Sequence, residues 1–158
     1  MSTMLASEVE ISYPAIRISE RLGVFDEVDP DEMSFAHASW LQSPYRLKAE
    51  IFDSAGRRFL VTGVRRLGKV GPFWKWWLPE MFSDHIYEID LELQELPPEP
   101  FERVLARVVK IESGNAGNLD WTEDHPDFLA WLDELRRCAS IADIAAFGNP
   151  PEDGEAAR

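Results

Sequence analysis

Three histidines, one cysteine and 29 carboxylates are the groups in this 158-residue chain whose chemistry could bind a metal or move a proton. His37, His85 and His125 lie far apart in sequence, and none has a second histidine or cysteine at metal-ligand spacing. Each therefore reads as structural, and no metal site is expected. A nucleophilic Cys138 would need a histidine beside it to form the thiolate, whereas its apolar, alanine-rich surroundings suit a small buried residue. Carboxylate pairs such as Glu123 and Asp124 suit acid–base work, but in so acidic a chain such pairs arise from composition alone. The run "VTGVRRLGKVG" lacks both the spacing and the terminal lysine–hydroxyl pair of a phosphate-binding loop. These residues predict no enzymatic activity and no cofactor.

Binding chemistry is better represented. The stretch Phe73 to Phe82, "FWKWWLPEMF", brings Trp74, Trp76 and Trp77 together, half of the six tryptophans. It closes an acid-free run from Ser54 to Pro79 in which Arg57, Arg58, Arg65, Arg66, Lys69 and Lys75 stand against a net charge of −13 for the whole chain. Strand alternation would set Trp74 and Trp76 on one face and Lys75 with Trp77 on the other. One reading is a core-lining segment braced by Pro72 and Pro79, with all three tryptophans buried. The other is that both faces cannot easily be core, which makes at least one tryptophan a candidate exposed anchor, the residue type enriched in interface hot spots. A second surface is acidic: Glu88, Asp90 and Glu92, with Glu95, share one side of an alternating segment, extended by Asp120, Glu123, Asp124 and Asp127 where those fold nearby. That face is either a solvated strand surface neutralised by Arg103 and Arg107, or a docking surface for a basic partner.

The elements that must position these residues follow from periodicity. His85 to Leu96 alternates cleanly, with Tyr87, Ile89, Leu91 and Leu93 on the inner face. Tyr45 to Arg66 reads as a hairpin around the turn residues "DSAG", and "LGKVGP" as the loop that ends its second strand. Glu8 to Tyr13 reads as a short strand. Pro14 to Phe25 fits either a helix or a strand. "DEVDPDE" is a turn leading to a helix from Pro30 to Leu41, capped by Asp29, with Met33, Ala36, Trp40 and Leu41 inward. Phe101 to Ile111 carries helical spacing, but its β-branched residues and two arginines favour a strand that closes a second hairpin. Pro126 to Cys138 is a helix with a broad apolar face, and Ser140 caps another from Ile141 to Phe147.

One α+β domain over residues 1–148 is expected, an antiparallel sheet of four to six strands built from two hairpins with helices on one face, followed by a flexible acidic tail at 149–158. No secretory signal and no apolar run of membrane-spanning length is visible, and a single cysteine suits a reducing compartment, so a soluble, cytoplasmic protein is expected. The strong negative charge disfavours nucleic acid and favours a basic protein partner.

In size, acidity and lack of catalytic motifs the chain resembles bacterial toxin immunity proteins, at the level of the class. The resemblance implies a cytosolic inhibitor that occludes a toxin domain, a basic nuclease being one such toxin. Carboxylates would fill the toxin's cationic groove while an aromatic wedge supplies desolvated area. Two alternatives stay open: the basic, tryptophan-rich stretch 57–77 binding single-stranded nucleic acid or another anionic ligand, and a structural or adaptor subunit. Oligomeric state is not legible.

Overall fold

The strand with the clearest alternation is the centre of the molecule. The computed structural model describes residues 2–41, 43, 46–71, 85–118 and 126–147, the side chains of 115–118 and 126–127 excepted. Its strands are β1 (Thr3–Leu5), β2 (Ile16–Ser19), β3 (Val24–Glu27), β4 (Phe35–His37), β5 (Glu50–Phe52), β6 (Arg58–Val70) and β7 (Ile86–Leu96), and its helices α1 (Phe101–Asn118), α2 (Pro126–Leu135) and α3 (Ile141–Phe147). Among the described residues the fold is α+β: a seven-stranded antiparallel sheet, larger than the expected four to six, with three α-helices packed against it. Strand order is β1-β7-β6-β5-β2-β3. β4 joins the same edge of β7 as β1, opposite Ile86–Glu88, while β1 lies opposite Glu92–Gln94.

Two cores form because alternate residues of each strand face opposite ways. Ile51, Phe59, Val61, Tyr87, Ile89, Leu91 and Leu93 fill one side, closed by Val28, Met33, Ala36 and Leu41 from the 28–41 segment. On the other side Ile16, Ile18 and Phe52 pack beneath Val104 and Val108 of α1, Leu132 and Leu135 of α2, and Ile144 of α3. Among the described residues the helices pack over the β5-β2-β3 end of the sheet.

The β5–β6 hairpin is built on Asp53, which is fully buried. Its carboxylate accepts from the backbone N–H groups of Ala55 (3.0 Å), Arg57 (2.8 Å) and Ser12 (3.2 Å), while Gly56 takes the left-handed φ of 82° that the turn needs. Helix α3 begins as expected, the Ser140 hydroxyl accepting from Asp143 N–H at 3.1 Å.

Several sequence-based expectations are corrected. Phe101 to Ile111 is helical: Phe101, Val104, Leu105 and Val108 form one stripe that packs on the second core, and this burial outweighs the β-branched propensity. The second hairpin is accordingly β6–β7, and β6 runs through "LGKV", taking up its glycines at register shifts between Val61 and Gly63 and between Arg66 and Gly68. Pro30–Met33 is one 3-10 turn, capped by Asp29 as expected, but Phe35–His37 is a strand, because it finds hydrogen-bond partners on β7 that a short isolated helix lacks. Pro14 to Phe25 resolves as the β2–β3 hairpin, turning at Gly23. Residues 9–13 form no strand; Val9 and Ile11 pack on the first core while Ser7 is tied to Asp90. Between Arg46 and Lys48 the chain turns, and the strand of that hairpin begins only at Glu50. The tail 149–158 lies outside the described residues.

Helix α1 carries one costly group. Glu112 is buried, 7% exposed, and burial pushes its carboxyl above the ordinary glutamate pKa. A raised carboxyl pKa in the folded state means that stability is fullest below the unfolded pKa and falls as pH rises through the folded one. Glu112→Gln is therefore expected to raise the melting temperature at pH 7 by about 2–4 °C, the equivalent of about 1 kcal/mol, and to change nothing below about pH 4. Thermal melts of both proteins at the two pH values check this.

Candidate functional site

Arg17 is the starting point. It sits on β2 directly across from Asp26 of β3, and its side chain is largely buried. Its guanidinium donates through Nε to Asp26 Oδ1 at 3.0 Å and through a second nitrogen to Oδ2, the fork geometry that arginine and carboxylate share. A third nitrogen, Nη1, lies 3.2 Å from Glu32 Oε2 as an ion pair, although the angle does not make a straight hydrogen bond. Burial works against the Arg17 cation, but Asp26 and Glu32 outweigh it and raise its pKa.

Glu32 reaches Arg17 because Asp29 caps the Pro30–Met33 turn, accepting from Asp31 N–H at 2.9 Å, while buried Met33 anchors the turn in the first core. β4 then sends Ala36 inward and Phe35 and His37 outward. The next 3-10 turn, Ala38–Trp40, leaves Trp40 at the surface. Arg17 and Phe35 line one cavity of about 580 Å³ although their strands lie at distant places in the sheet order, so the sheet curls to bring β2–β3 opposite β4. Phe35, Trp40 and Ile86 supply its apolar lining, Asp26, Asp31 and Glu32 its carboxylates, and His37, Arg17 and Arg46 line it as well. Its size falls in the range of ligand and side-chain receptacles.

Arg46 is the strained member of this set. It is 8% exposed, donates through Nη2 to Phe35 O at 3.3 Å, and its Nη1 is buried without a hydrogen-bond partner. Burial pushes its pKa down, Glu32 opposing and Arg17 adding to the depression. An unpaired buried donor costs about 1–3 kcal/mol. Arg46→Met keeps the length of the side chain and removes that donor, so it is expected to raise the melting temperature by about 2–4 °C. A fall of several degrees in a thermal melt would show that Arg46 holds the 28–46 segment in place.

The residues marked in the sequence are only partly brought together. Glu88 is exposed on β7, directly across from Phe35 of β4, and so belongs to the same surface. Glu92 is half-buried, lies 3.6 Å from Arg65 and rests over Gly63, where a Cβ would meet its carboxylate oxygen at 2.5 Å. Asp90 is a correction: it is 6% exposed, with its carboxylate accepting from Ser7 N–H at 3.1 Å and from the Ser7 hydroxyl. It pins the N-terminal segment across β7 and offers nothing to a partner. Glu95 is occupied by Arg57 at 3.0 Å. Trp74, Trp76, Trp77, Asp120, Glu123 and Asp124 lie outside the described residues. Arg107 neutralises Glu20, Glu50 and Glu99, not the acidic side of β7.

Sequence reasoning missed Asp26, Asp31, Glu32, Phe35 and Trp40. The signal available was "DEVDPDE", the densest acidic run in the chain, directly followed by aromatics. Trp40 was expected inward with Met33, Ala36 and Leu41; those three are buried, whereas Trp40 is 47% exposed, because a strand and a turn replace the helix that would have aligned all four.

Hydrogen-bond donors, carboxylates and aromatic faces meet here, which suits recognition. Among the described residues no cluster of three or more potential metal ligands is found. Cys138 is half-buried, and burial with the nearby Asp143 raises its thiol pKa, which works against a thiolate nucleophile. No helix among the described residues is long and apolar enough to cross a membrane. Compared with protein-family models, with curated proteins and with solved structures, the chain shows no significant match.

Proposed function

We propose that this chain is a recognition protein of the immunity type, which binds a basic toxin domain and occludes its working surface. The observation that carries the reading is the rim of the Arg17–Arg46 cleft. Phe35 and Trp40 are large aromatics left 41% and 47% exposed, beside the carboxylates of Asp26, Asp31 and Glu32. Exposed aromatics next to a set of acids divide the work of binding: the acids steer a basic partner and select it, and the aromatics supply the desolvated contact that holds it. Glu88 extends the acidic margin across the β4–β7 pair. The reading assigns no catalytic step and no cofactor to the chain, and places it in the compartment where its toxin would act.

Co-expression tests it. A toxin encoded beside this chain's gene is expected to lose its toxicity when the chain is present, and to be retained by it in a pull-down. A neighbouring toxin that stays fully toxic, with no complex recovered, overturns the reading.

The basic band gives the nucleic-acid alternative little support. Arg57 pairs with Glu95, Arg58 with Glu50 at 2.6 Å, and Arg65 lies near Glu92, so half of its six cations already face carboxylates.

A further inference from the structure

We propose that the outer edge of β6, from Val64 to Lys69, takes up an extended acidic segment of a partner protein as an added strand. The inference is independent of the cleft. β7 pairs with β6 along its whole length, Arg58 to Val70. On the opposite edge β5 pairs only with Arg58–Leu60, and Val61 is the last residue bonded there, donating to Ala49 O at 2.9 Å and accepting from Lys48 N at 2.8 Å. No described strand covers that edge beyond Val61.

Backbone alternation shows which groups it offers. Val61 directs its N–H and C=O outward, away from β7. Its counterparts in register, after each of the two bulges has absorbed one residue, are Val64 opposite Leu91, Arg66 opposite Ile89 and Lys69 opposite Tyr87. Among the described residues these three have no strand partner on that side, so their N–H and C=O groups are the ones an incoming strand would bond.

The side chains state the charge of that strand. Arg65 is exposed but already lies 3.6 Å from Glu92, so the charge left to a partner is that of Arg66 and Lys69, whose cations lie over the Tyr87 ring at 5.2 and 5.9 Å. Among the described residues neither Arg66 nor Lys69 has a carboxylate in ion-pair reach. Leu67, at 56% exposure, adds apolar surface at the second bulge. A second copy is the wrong occupant, because antiparallel pairing would set three cations against three; basic residues and bulges are how sheet edges resist their own kind. The same features accept glutamates and aspartates.

The probe is an octapeptide of alternating glutamate and valine, labelled with fluorescein and titrated into the full chain by anisotropy. Saturable binding is expected, with hydrogen exchange at the Val64, Arg66 and Lys69 amides slowed at least about tenfold. The double variant Arg66→Glu/Lys69→Glu, shown to be folded by circular dichroism, is expected to lose the peptide by more than about tenfold. Equal binding of a peptide N-methylated on alternate residues overturns the proposal, since charge alone then suffices. So does strong protection of those three amides before peptide is added, or displacement of the peptide by oligo-dT at lower concentration than by unlabelled peptide.

Discussion

Replacing Arg107 by alanine is expected to destabilise the fold by about 3 kcal/mol, the loss typical of removing one partner from a buried ion-pair network. Arg107 rises from α1 and contacts three carboxylates: Glu20 at 2.8 Å, Glu50 at 3.0 Å and Glu99 at 2.7 Å. Glu50 and Glu99 are themselves mostly shielded from water, and among the described residues Arg58 is the cation that would remain to them, at 2.6 and 3.8 Å. The guanidinium also lies 5.4 Å from the Phe52 ring, so the same side chain ties helix to sheet. The loss should depend on pH with a defined sign. Burial alone would raise the Glu50 carboxyl, but hydrogen bonds from Arg58 and Arg107 hold its pKa below the ordinary value. A depressed carboxyl contributes stability above the unfolded pKa and loses it as pH falls through the folded one. The difference between the two proteins in urea unfolding should therefore be full at pH 7 and shrink below about pH 4.3. A difference that persists undiminished at pH 3 would mean that packing on Phe52, and not charge, is what Arg107 supplies.

On the immunity-type reading proposed above, Trp40→Ala is expected to weaken binding of the partner domain by about 2–4 kcal/mol, roughly 30- to 1,000-fold, with little change in stability. The separation follows from exposure: half of the Trp40 side chain is already in water, so the folded state loses little when it is truncated. Asp31→Asn, at the acidic side of the same cleft, should act differently. It should slow association and reduce its salt dependence while leaving dissociation nearly unchanged, the signature of a rim charge.

Much of this architecture was legible because local pattern and tertiary need agree. The alternation of Tyr87, Ile89, Leu91 and Leu93 named the buried face of β7, and Asp53 with Gly56 placed the β5–β6 turn. Where the two conflict, the sequence misled. Val104, Val108 and Ile111 are β-branched, yet their spacing makes a helical stripe that the second core buries. Phe35–His37 has no strand signal of its own and is recruited by the open edge of β7. Asp90 follows the outward phase of its strand but falls where the N-terminal segment crosses, so it is covered. The candidate site suffered most, since it joins β2–β3 to β4 through the curl of the sheet. No spacing along the chain shows that Arg17 and Trp40 share a cleft, or that an arginine at 46 is buried.

The most direct test of the proposed recognition surface is a titration calorimetry comparison of the wild-type chain with the Phe35→Ala/Trp40→Ala variant, each against any toxin domain encoded beside this chain's gene. The account predicts a tight complex for the wild type and at least about 100-fold weaker binding for a variant that still melts cooperatively. Equal affinity for the two proteins would contradict it, and recognition would then have to be sought away from the cleft.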